Sequence, residues 1–247
     1  VLFIHSIWDI RVLRWFIGTI TDEGKLEVFN QGSVDYGDFF ASQISFDEKG
    51  RALMWGWLRE DPRRGLYTDG EWSGVQAIPR MISINHEDEL VQERLPEFET
   101  LRRTDEAVRL QNFTGRYEFQ TVSGAAEIEG DIQSDDVFSF RFLADEENRE
   151  YTDIIINPRE GTYYAPMEES SLIKSVDKKP ILGYFKRKED GVVHLDILID
   201  HSVAEIFING SSAMTLRIYP QLEGGRMSVK SKGIIKEAEI HIYEIRL

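Results

Sequence analysis

Short apolar stretches separated by turn residues run through the chain. In the first part they are Val1–Trp8, Leu13–Thr21, Leu26–Phe29, Phe39–Phe46 and Arg51–Leu58. The breaks between them combine glycine with Asp, Glu or Lys, and glycine there can take a positive φ. Amphipathic helical periodicity is scarce by comparison. The pattern predicts antiparallel strands joined by tight turns, as in a β-meander or a blade of a β-propeller.

The pattern changes between Glu87 and Arg103. Leucine and phenylalanine recur at mostly helical spacing among charged residues, and Pro96 stands where a helix can begin. We expect a short helix or an extended connector here, with a domain boundary near Thr104-Asp105. The predicted domains are residues 1–104 and residues 105–247.

Strand patterns resume near Asn112 and continue to the end of the chain. The expected strands are Gly115–Thr121, Val137–Leu143, Thr152–Asn157, Leu182–Lys186, Val193–Ile197, Ala204–Ile208, Thr215–Tyr219, Arg226–Lys230 and Ala238–Ile242. Alternation of apolar and polar residues in several of them indicates one buried and one wet face. Many short strands with regular turn signals predict a β-sandwich. The fold class is therefore all-β throughout.

Composition narrows the classes of function. The 247 residues carry 29 Lys and Arg against 44 Asp and Glu, a net charge of −15, which disfavours nucleic acid as a partner. No apolar run is long enough for a transmembrane helix. The absence of cysteine excludes disulfides, thiolate metal ligands and cysteine nucleophiles. The five histidines show no metal-ligand spacing, so no metal site is predicted. The sequence does not decide between a cytoplasmic and a secreted protein, although the cytoplasm is favoured. It does not indicate an oligomeric state.

Residues 35–43 read Asp-Tyr-Gly-Asp-Phe-Phe-Ala-Ser-Gln and are the most informative segment. Further short motifs, which we call stations, follow in this order: Gly50-Arg51, Trp55-Gly56-Trp57, Gly65-Leu66-Tyr67, Trp72-Ser73-Gly74, Pro79-Arg80, Gln92, the run from Asp196 to Asn209, and Thr215 to Pro220. This series resembles the β-fructofuranosidase family of invertases, levanases and inulinases. No single motif is unique to that family, so the order and spacing carry the resemblance.

The resemblance implies a five-bladed β-propeller followed by a C-terminal β-sandwich, and retaining hydrolysis of β-fructofuranosyl bonds. Such chemistry needs two carboxyl groups about 5 Å apart. The family places them in Asn-Asp-Pro-Asn-Gly and Glu-Cys motifs, with a third Asp in Arg-Asp-Pro. None of these occurs here, and Glu60-Asp61-Pro62 matches the last only superficially. We therefore expect the last propeller blades and the whole sandwich, without the N-terminal catalytic blades. No catalytic residue is assigned, and this chain alone is expected to be inactive.

Three residues are predicted to bind a small carbohydrate substrate, sucrose or a fructan. Asp35 matches a family position that contacts the sugar on the leaving-group side. The alternative interpretation is that Asp35 lies in a turn and accepts hydrogen bonds from the backbone of that turn. Phe40 stands where the family usually has Tyr, and it either walls the pocket or belongs to the core. Trp57 shares a strand face with Trp55, and packing between blades is favoured there over sugar stacking. No cofactor is required, because two carboxyl groups perform the chemistry.

Two further features have simple interpretations. Gln43 is expected on the same strand face as Phe39, as a structural hydrogen-bonding residue. Asp200-His201-Ser202 is interpreted as a hairpin turn rather than a catalytic triad, since consecutive residues point in different directions. Two other classes of function stay open: a non-catalytic carbohydrate-binding or assembly module built on the sandwich, and a full-length all-β binding protein. The sequence does not separate sucrose from levan, inulin or sucrose phosphate, nor hydrolysis from fructosyl transfer.

Overall fold

A computed structural model describes residues 1–58, 60, 73–120 and 124–246. The first sheet is a three-stranded antiparallel meander of β1 (Leu2–Ile7), β2 (Val12–Ile20) and β3 (Leu26–Ser33). Alternation along β2 buries Leu13, Trp15 and Ile17 on one face. The predicted strands in this region are confirmed, although β3 extends further than expected.

The second sheet is also antiparallel. Its strands are β4 (Phe39–Phe46), β5 (Ala52–Leu58), β6 (Val75–Gln76), β7 (Arg80–Ile84) and β8 (Leu90–Arg94), in the order β4-β5-β7-β8 with β6 paired to β5. A 3₁₀ helix over Pro96–Leu101 follows, with proline in its first turn. The helical interpretation was therefore right for this short segment and wrong for Leu90, which lies in β8 because Leu90 and Gln92 alternate into the interior.

The remaining strands form one continuous ten-stranded sheet. They are β9 (Glu106–Glu118), β10 (Ala125–Ser134), β11 (Phe138–Ala144), β12 (Thr152–Asn157), β13 (Thr162–Ala165), β14 (Ile181–Tyr184), β15 (Val192–Asp200), β16 (Val203–Ile208), β17 (Ser212–Arg217) and β18 (Arg226–Ile245). The order is β14-β13-β12-β11-β18-β10-β15-β16-β17, and β9 pairs with β18.

The 20-residue strand β18 folds this sheet over on itself. Its first part pairs with β11 and its last part with β10, and the register shifts between them. At the far ends of the order, Ser212 of β17 donates a hydrogen bond to the Tyr184 carbonyl of β14 at 2.7 Å. The all-β prediction is confirmed. The predicted sandwich takes the form of one folded, nearly closed sheet rather than two separate ones.

Three apolar clusters are found among the residues that the structure describes. The largest lies inside the folded ten-stranded sheet, and a second joins the two N-terminal sheets. A small third cluster of Leu198, Phe207 and Ala213 is contacted by Ile78 from the segment between β6 and β7. The N-terminal sheets thus pack directly on β15, β16 and β17. In the part of the chain that the structure describes, no helix has the length and apolar character needed to cross a membrane.

Candidate functional site

The segment that carries the Asp-Tyr-Gly motif lies along the outer edge of β17. The Tyr36 N–H donates to the Ala213 carbonyl at 3.0 Å, and the Asp38 N–H donates to the Thr215 carbonyl at 2.8 Å. Gly37 passes so close that a β-carbon there would lie 1.8 Å from the Thr215 carbonyl oxygen. Residues 35–38 therefore cover the free edge of the large sheet much as an additional strand does, and only glycine fits at position 37.

The Asp35 carboxylate is saturated by protein donors. One oxygen accepts from the backbone N–H groups of Gly37 at 2.7 Å and Thr215 at 3.0 Å. The other accepts from the Thr215 hydroxyl at 2.8 Å and from Arg80 at 2.9 Å. Two oxygens offer about four acceptor positions, and four donors occupy them. Asp35 is 6% exposed, so this geometry favours the turn alternative over direct contact with a sugar.

Arg80 is the centre of this arrangement and is completely buried. One terminal nitrogen shares its two hydrogens among three acceptors: Asp35, Glu205 at 3.0 Å and the Thr215 hydroxyl at 2.7 Å. The other donates to the Gln92 side-chain oxygen at 2.9 Å. We call Asp35, Arg80, Gln92, Glu205 and Thr215 the Arg80 cluster. Its members come from a loop, β7, β8, β16 and β17, so it joins the N-terminal sheets to the large sheet.

Aromatic rings enclose the guanidinium group of Arg80. Its central carbon lies 3.9 Å from the centre of the Phe39 ring and 5.0 Å from that of Phe207. Such contacts stabilise a cation that has left water. The Arg80 side chain is therefore held by hydrogen bonds in its plane and by rings beside it, one ring from each of the two parts that it joins.

Glu205 is the second carboxyl group on Arg80. Burial raises its pKa above the usual value, while the neighbouring Arg80 and the Ile78 N–H, which donates to it at 2.8 Å, act in the opposite direction. Asp35 and Glu205 are both buried, and both bind the one guanidinium group of Arg80. The Arg80 cluster is suited to holding the two parts of the chain together and not to acid–base catalysis on a sugar.

The other two predicted site residues lie together on the opposite side of β4. Phe40 and Trp57 are direct cross-strand partners in the β4–β5 pair. The Trp8 ring packs 5.8 Å from that of Phe40, and Trp8 is 68% exposed. Phe40 itself is only 2% exposed, whereas Trp57 is half-buried. Because Phe39 and Phe40 are consecutive, the Phe40–Trp57 pair and the Arg80 cluster lie on different faces of the strand.

A bulge in β4 corrects the expected position of Gln43. The register shifts between Phe40 and Gln43, and Ala41 has a φ of 52°. Gln43 consequently lies opposite Trp55 and shares the face of Phe40 and Trp57, not that of Phe39. The prediction failed because the two-residue period is interrupted by the extra residue. Trp55 is 36% exposed, and its indole N–H donates to the Ser45 hydroxyl at 2.9 Å.

Sequence reasoning missed the partners of Asp35. Arg80, Gln92, Glu205 and Thr215 all lie in motif stations, but none was given a role. A usable signal was present at Glu205, which stands within the apolar run Val203–Ile208. A carboxylate inside a buried strand requires a buried partner, and Arg80 is such a partner.

The other residues that the sequence offered as possible catalytic or metal-binding groups lie in turns or in ion pairs, or outside the described residues. Asp200-His201-Ser202 forms the β15–β16 hairpin turn, as predicted, with a φ of 48° at His201. Glu60 binds the Arg217 guanidinium and the Tyr219 hydroxyl. Asp61-Pro62, Gly65-Leu66-Tyr67 and Trp72 lie outside the described residues. Within the described ranges no group of His, Asp and Glu side chains is arranged to hold a metal ion.

A cavity on the ten-stranded sheet lies away from the predicted site residues. It has a volume of about 600 Å³, and its lining includes His201, Tyr219, Gln221 and Leu222. Glu150, which is 1% exposed, fixes one wall by accepting hydrogen bonds from three backbone N–H groups in the bordering loops at 2.6–2.8 Å. The cavity is thus bounded by loops that buried polar groups hold in place.

Two family models match the chain in succession. The model described as the N-terminal domain of glycosyl hydrolases family 32 matches residues 7–94, and the model described as the C-terminal part of the same family matches residues 97–244. The chain therefore carries sequence of both family domains. The expectation that the N-terminal catalytic blades are absent is not supported by the first match.

Curated relatives are considerably longer than this chain. A fructan 6-exohydrolase from Beta vulgaris is 28% identical, with 88% of this chain and 44% of the relative covered. A β-fructofuranosidase, insoluble isoenzyme CWINV1, from Arabidopsis thaliana is 30% identical, with 78% of this chain and 41% of the relative covered. The chain thus spans less than half the length of these relatives.

Solved structures share the fold. The exo-inulinase from Aspergillus awamori superimposes with a TM-score of 0.80 at 18% identity, covering 95% of this chain and 50% of that one. The fructan 1-exohydrolase IIa from Cichorium intybus gives a TM-score of 0.77 at 20% identity, covering 95% and 55%. At these identities the superpositions establish likeness of fold alone.

Proposed function

Because the chain belongs to glycosyl hydrolase family 32, we propose that it forms part of an enzyme that hydrolyses terminal β-D-fructofuranosyl bonds in sucrose or fructans. The ordered match of both family domains, to residues 7–94 and 97–244, carries this proposal. The relatives named above are a fructan hydrolase and a β-fructofuranosidase, which supports a small carbohydrate as the substrate.

The proposed mechanism is retaining. One carboxylate attacks the anomeric carbon while a second, protonated carboxyl group gives its proton to the leaving oxygen, and water then releases fructose by the reverse route. Asp35 and Glu205 do not suit these roles, since both are buried on Arg80. The motifs that carry the catalytic pair in the family do not occur in these 247 residues. We therefore propose that other residues of the enzyme supply the pair, and that the 247-residue chain alone is inactive.

The contacts between the N-terminal sheets and the large sheet support a proposal for the role of each part. We propose that residues 1–104 belong to the propeller, with β4, β5, β7 and β8 as one four-stranded antiparallel blade, and that residues 105–247 form the supporting domain. Phe40 and Trp57 would wall the sugar pocket on one face of β4. Asp35 would support the pocket indirectly from the other face of β4, because it fixes residues 35–38 onto β17.

An assay of fructose release tests the proposal. The gene product that contains these residues and the 247-residue chain alone are each incubated with sucrose, inulin and levan. We expect release by the former and none by the latter. Release by the short chain alone would show that its own carboxylates are catalytic, and a gene product that binds fructans without cleaving them would refute the hydrolase assignment.

A second candidate function is a non-catalytic carbohydrate-binding module, and the 600 Å³ cavity is the observation that favours it. Its size is within the range typical of small-molecule sites, and Tyr219 and His201 give it aromatic walls. Calorimetric titration of the chain with sucrose and fructo-oligosaccharides tests this function. Saturable binding that Tyr219→Ala abolishes would support it, and binding unaffected by that substitution would contradict it.

A further inference from the structure

A second group of buried charges lies where the N-terminal part meets the large sheet. Arg94 ends β8 and Arg102 follows the 3₁₀ helix, while Glu127 and Glu129 belong to β10 and Asp196 to β15. We call these five residues the junction cluster. Glu127 is fully buried, and Asp196 is 8% exposed. The cluster is separate from the Arg80 cluster and shares no residue with it.

The two arginines bind the carboxylates of β10 closely. Arg102 donates to both oxygens of Glu127 at 2.6 and 2.7 Å, and to Glu129 at 2.7 Å. The Arg102 guanidinium also lies 3.8 Å from the centre of the Tyr243 ring. Arg102 is therefore well matched to its two glutamates, and the pairing across the junction depends on it and on Arg94.

Arg94 is not well matched to its neighbours. Its Nε lies 2.6 Å from a Glu127 oxygen and 2.9 Å from an Asp196 oxygen. Nε carries one hydrogen, so it cannot serve two carboxylates at once. Neither Arg94 Nε nor the second oxygen of Asp196 has a hydrogen-bond partner of acceptable geometry among the described residues, and both are buried. A buried carboxylate oxygen without a donor is costly when the group is ionised.

The charges of the junction cluster balance only if one carboxyl group is neutral. Within the cluster two guanidinium groups face three carboxyl groups, while Glu99, whose side chain is 55% exposed, also accepts from Arg94 at 3.5 Å. Asp196 is the carboxyl group with an unpartnered oxygen. A proton on Asp196 leaves two cations and two anions within the cluster, and it removes the negative charge from an oxygen that accepts no hydrogen bond. The same proton on Glu127 would remove the acceptor on which Arg102 depends.

We propose that Asp196 is protonated in the closed junction, and that its ionisation loosens the contact of residues 90–102 with the large sheet. The chain would then contain a pH-sensitive junction between its two parts. Acidification tightens the junction because it removes a third negative charge from a site that holds two cations.

The direction of the pKa agrees with this geometry. Burial raises the pKa of Asp196 to about 7, with Glu127 and Glu129 acting in the same direction and Arg94 and Arg102 opposing. An exposed aspartate in the unfolded or opened chain has a pKa near about 4. A raised pKa in the closed form means stability that is complete below about pH 4 and is lost as the pH rises through about 7.

Other titratable groups face the same region and must be controlled. They are Glu99 of the 3₁₀ helix, Glu93 of β8, His194 of β15 beside Asp131, and His241 and Tyr243 of β18, opposite Glu129 and Glu127. The two histidines matter most, because each is paired with an aspartate and is charged only when protonated.

Hydrogen exchange of residues 90–102 in the 247-residue chain, corrected for the intrinsic pH dependence of exchange, tests the proposal. Between about pH 5 and about pH 7 we expect the opening equilibrium of this segment to rise by up to roughly tenfold per pH unit. Asp196→Asn, an uncharged isostere, should abolish the slope. Asp200→Asn, at an exposed position of the same strand, should keep it, and so should the double variant His194→Gln/His241→Gln.

The outcomes separate the explanations. A slope that survives in Asp196→Asn, or that disappears in the double histidine variant, would overturn the proposal. Infrared spectroscopy gives a second readout if Asp196→Asn does not fold: the wild-type chain should show the band of a protonated carboxyl group at about pH 6 that disappears by about pH 8. Absence of such a titrating band in the wild-type chain would equally refute a proton on Asp196.

Discussion

Replacement of Arg80 by methionine tests the main contact between the two parts of the chain. Arg80→Met keeps an apolar chain of similar length between the Phe39 and Phe207 rings but removes all four hydrogen bonds of the guanidinium. It leaves Asp35 and Glu205 as buried carboxylates without a cation. Removal of one partner from a buried ion pair costs about 3–5 kcal/mol. We expect a loss of this size in the free energy of unfolding.

Urea unfolding followed by tryptophan fluorescence measures this loss. Arg109→Met is a matched control, because Arg109 forms its ion pair with Glu239 on the surface with 80% of its side chain exposed, and we expect almost no change there. Arg80→Lys should recover little, since an ammonium group lacks the planar set of donors that reaches Asp35, Glu205 and Gln92 together. An Arg80→Met chain as stable as the Arg109→Met chain would refute the view that this cluster holds the two parts together.

A pH series and a double variant identify the cause of the loss. Burial already raises the pKa of Glu205 and Arg80 opposes that effect, so removal of Arg80 should raise the pKa further. A raised pKa in the folded state means stability that is retained in acid and lost as the pH rises, so Arg80→Met should be least destabilised near about pH 4. Arg80→Met/Glu205→Gln at neutral pH should be more stable than the sum of the single changes predicts, by about 1–3 kcal/mol. Strict additivity would show that the two side chains do not interact.

Three further substitutions test other parts of the structure. Gly37→Ala should cost about 1–3 kcal/mol in urea unfolding, because its β-carbon would lie 1.8 Å from the Thr215 carbonyl oxygen; a neutral effect would show that residues 35–38 do not lie against β17. Phe40→Ala should cost about 3–5 kcal/mol by the same measurement whereas Trp8→Ala, at a 68% exposed position, should cost far less; equal effects would contradict the burial of Phe40. Glu150→Ala should speed hydrogen exchange in the loops around residues 172 and 221, since three backbone N–H groups lose their acceptor, and unchanged exchange there would contradict these contacts.

Several strands could be predicted because neighbouring residues in the sequence determine where a strand begins and ends. Phe39–Phe46 and Thr152–Asn157 were predicted with the observed bounds, since turn residues and apolar alternation mark them directly. Strands β7 and β8 were missed because Arg80 and Gln92 stand at buried positions, where a reading by polarity expects solvent. Polarity was misleading there because the partner of each residue is distant in sequence.

The candidate site was less predictable than the strands for the same reason. Phe40 and Trp57 are 17 positions apart, and their pairing depends on a bulge at Ala41 that no periodicity reveals. The four donors around Asp35 include three that come from residues 45 to 180 positions away. A motif showed that Asp35 had a special environment, but the nature of that environment required the three-dimensional arrangement.

Several of the residues that carry the family resemblance also join the two parts of the chain. Residues from five stations that are separate in sequence meet around one guanidinium group in the structure. They are Asp35, Arg80, Gln92, Glu205 and Thr215. Asp196, from the same station as Glu205, belongs to the junction cluster. A buried charge tolerates few substitutions, because each change leaves a partner unpaired. The resemblance in this chain therefore reports mainly on how the two parts are held together, and it establishes the family and the fold more strongly than it locates the catalytic chemistry.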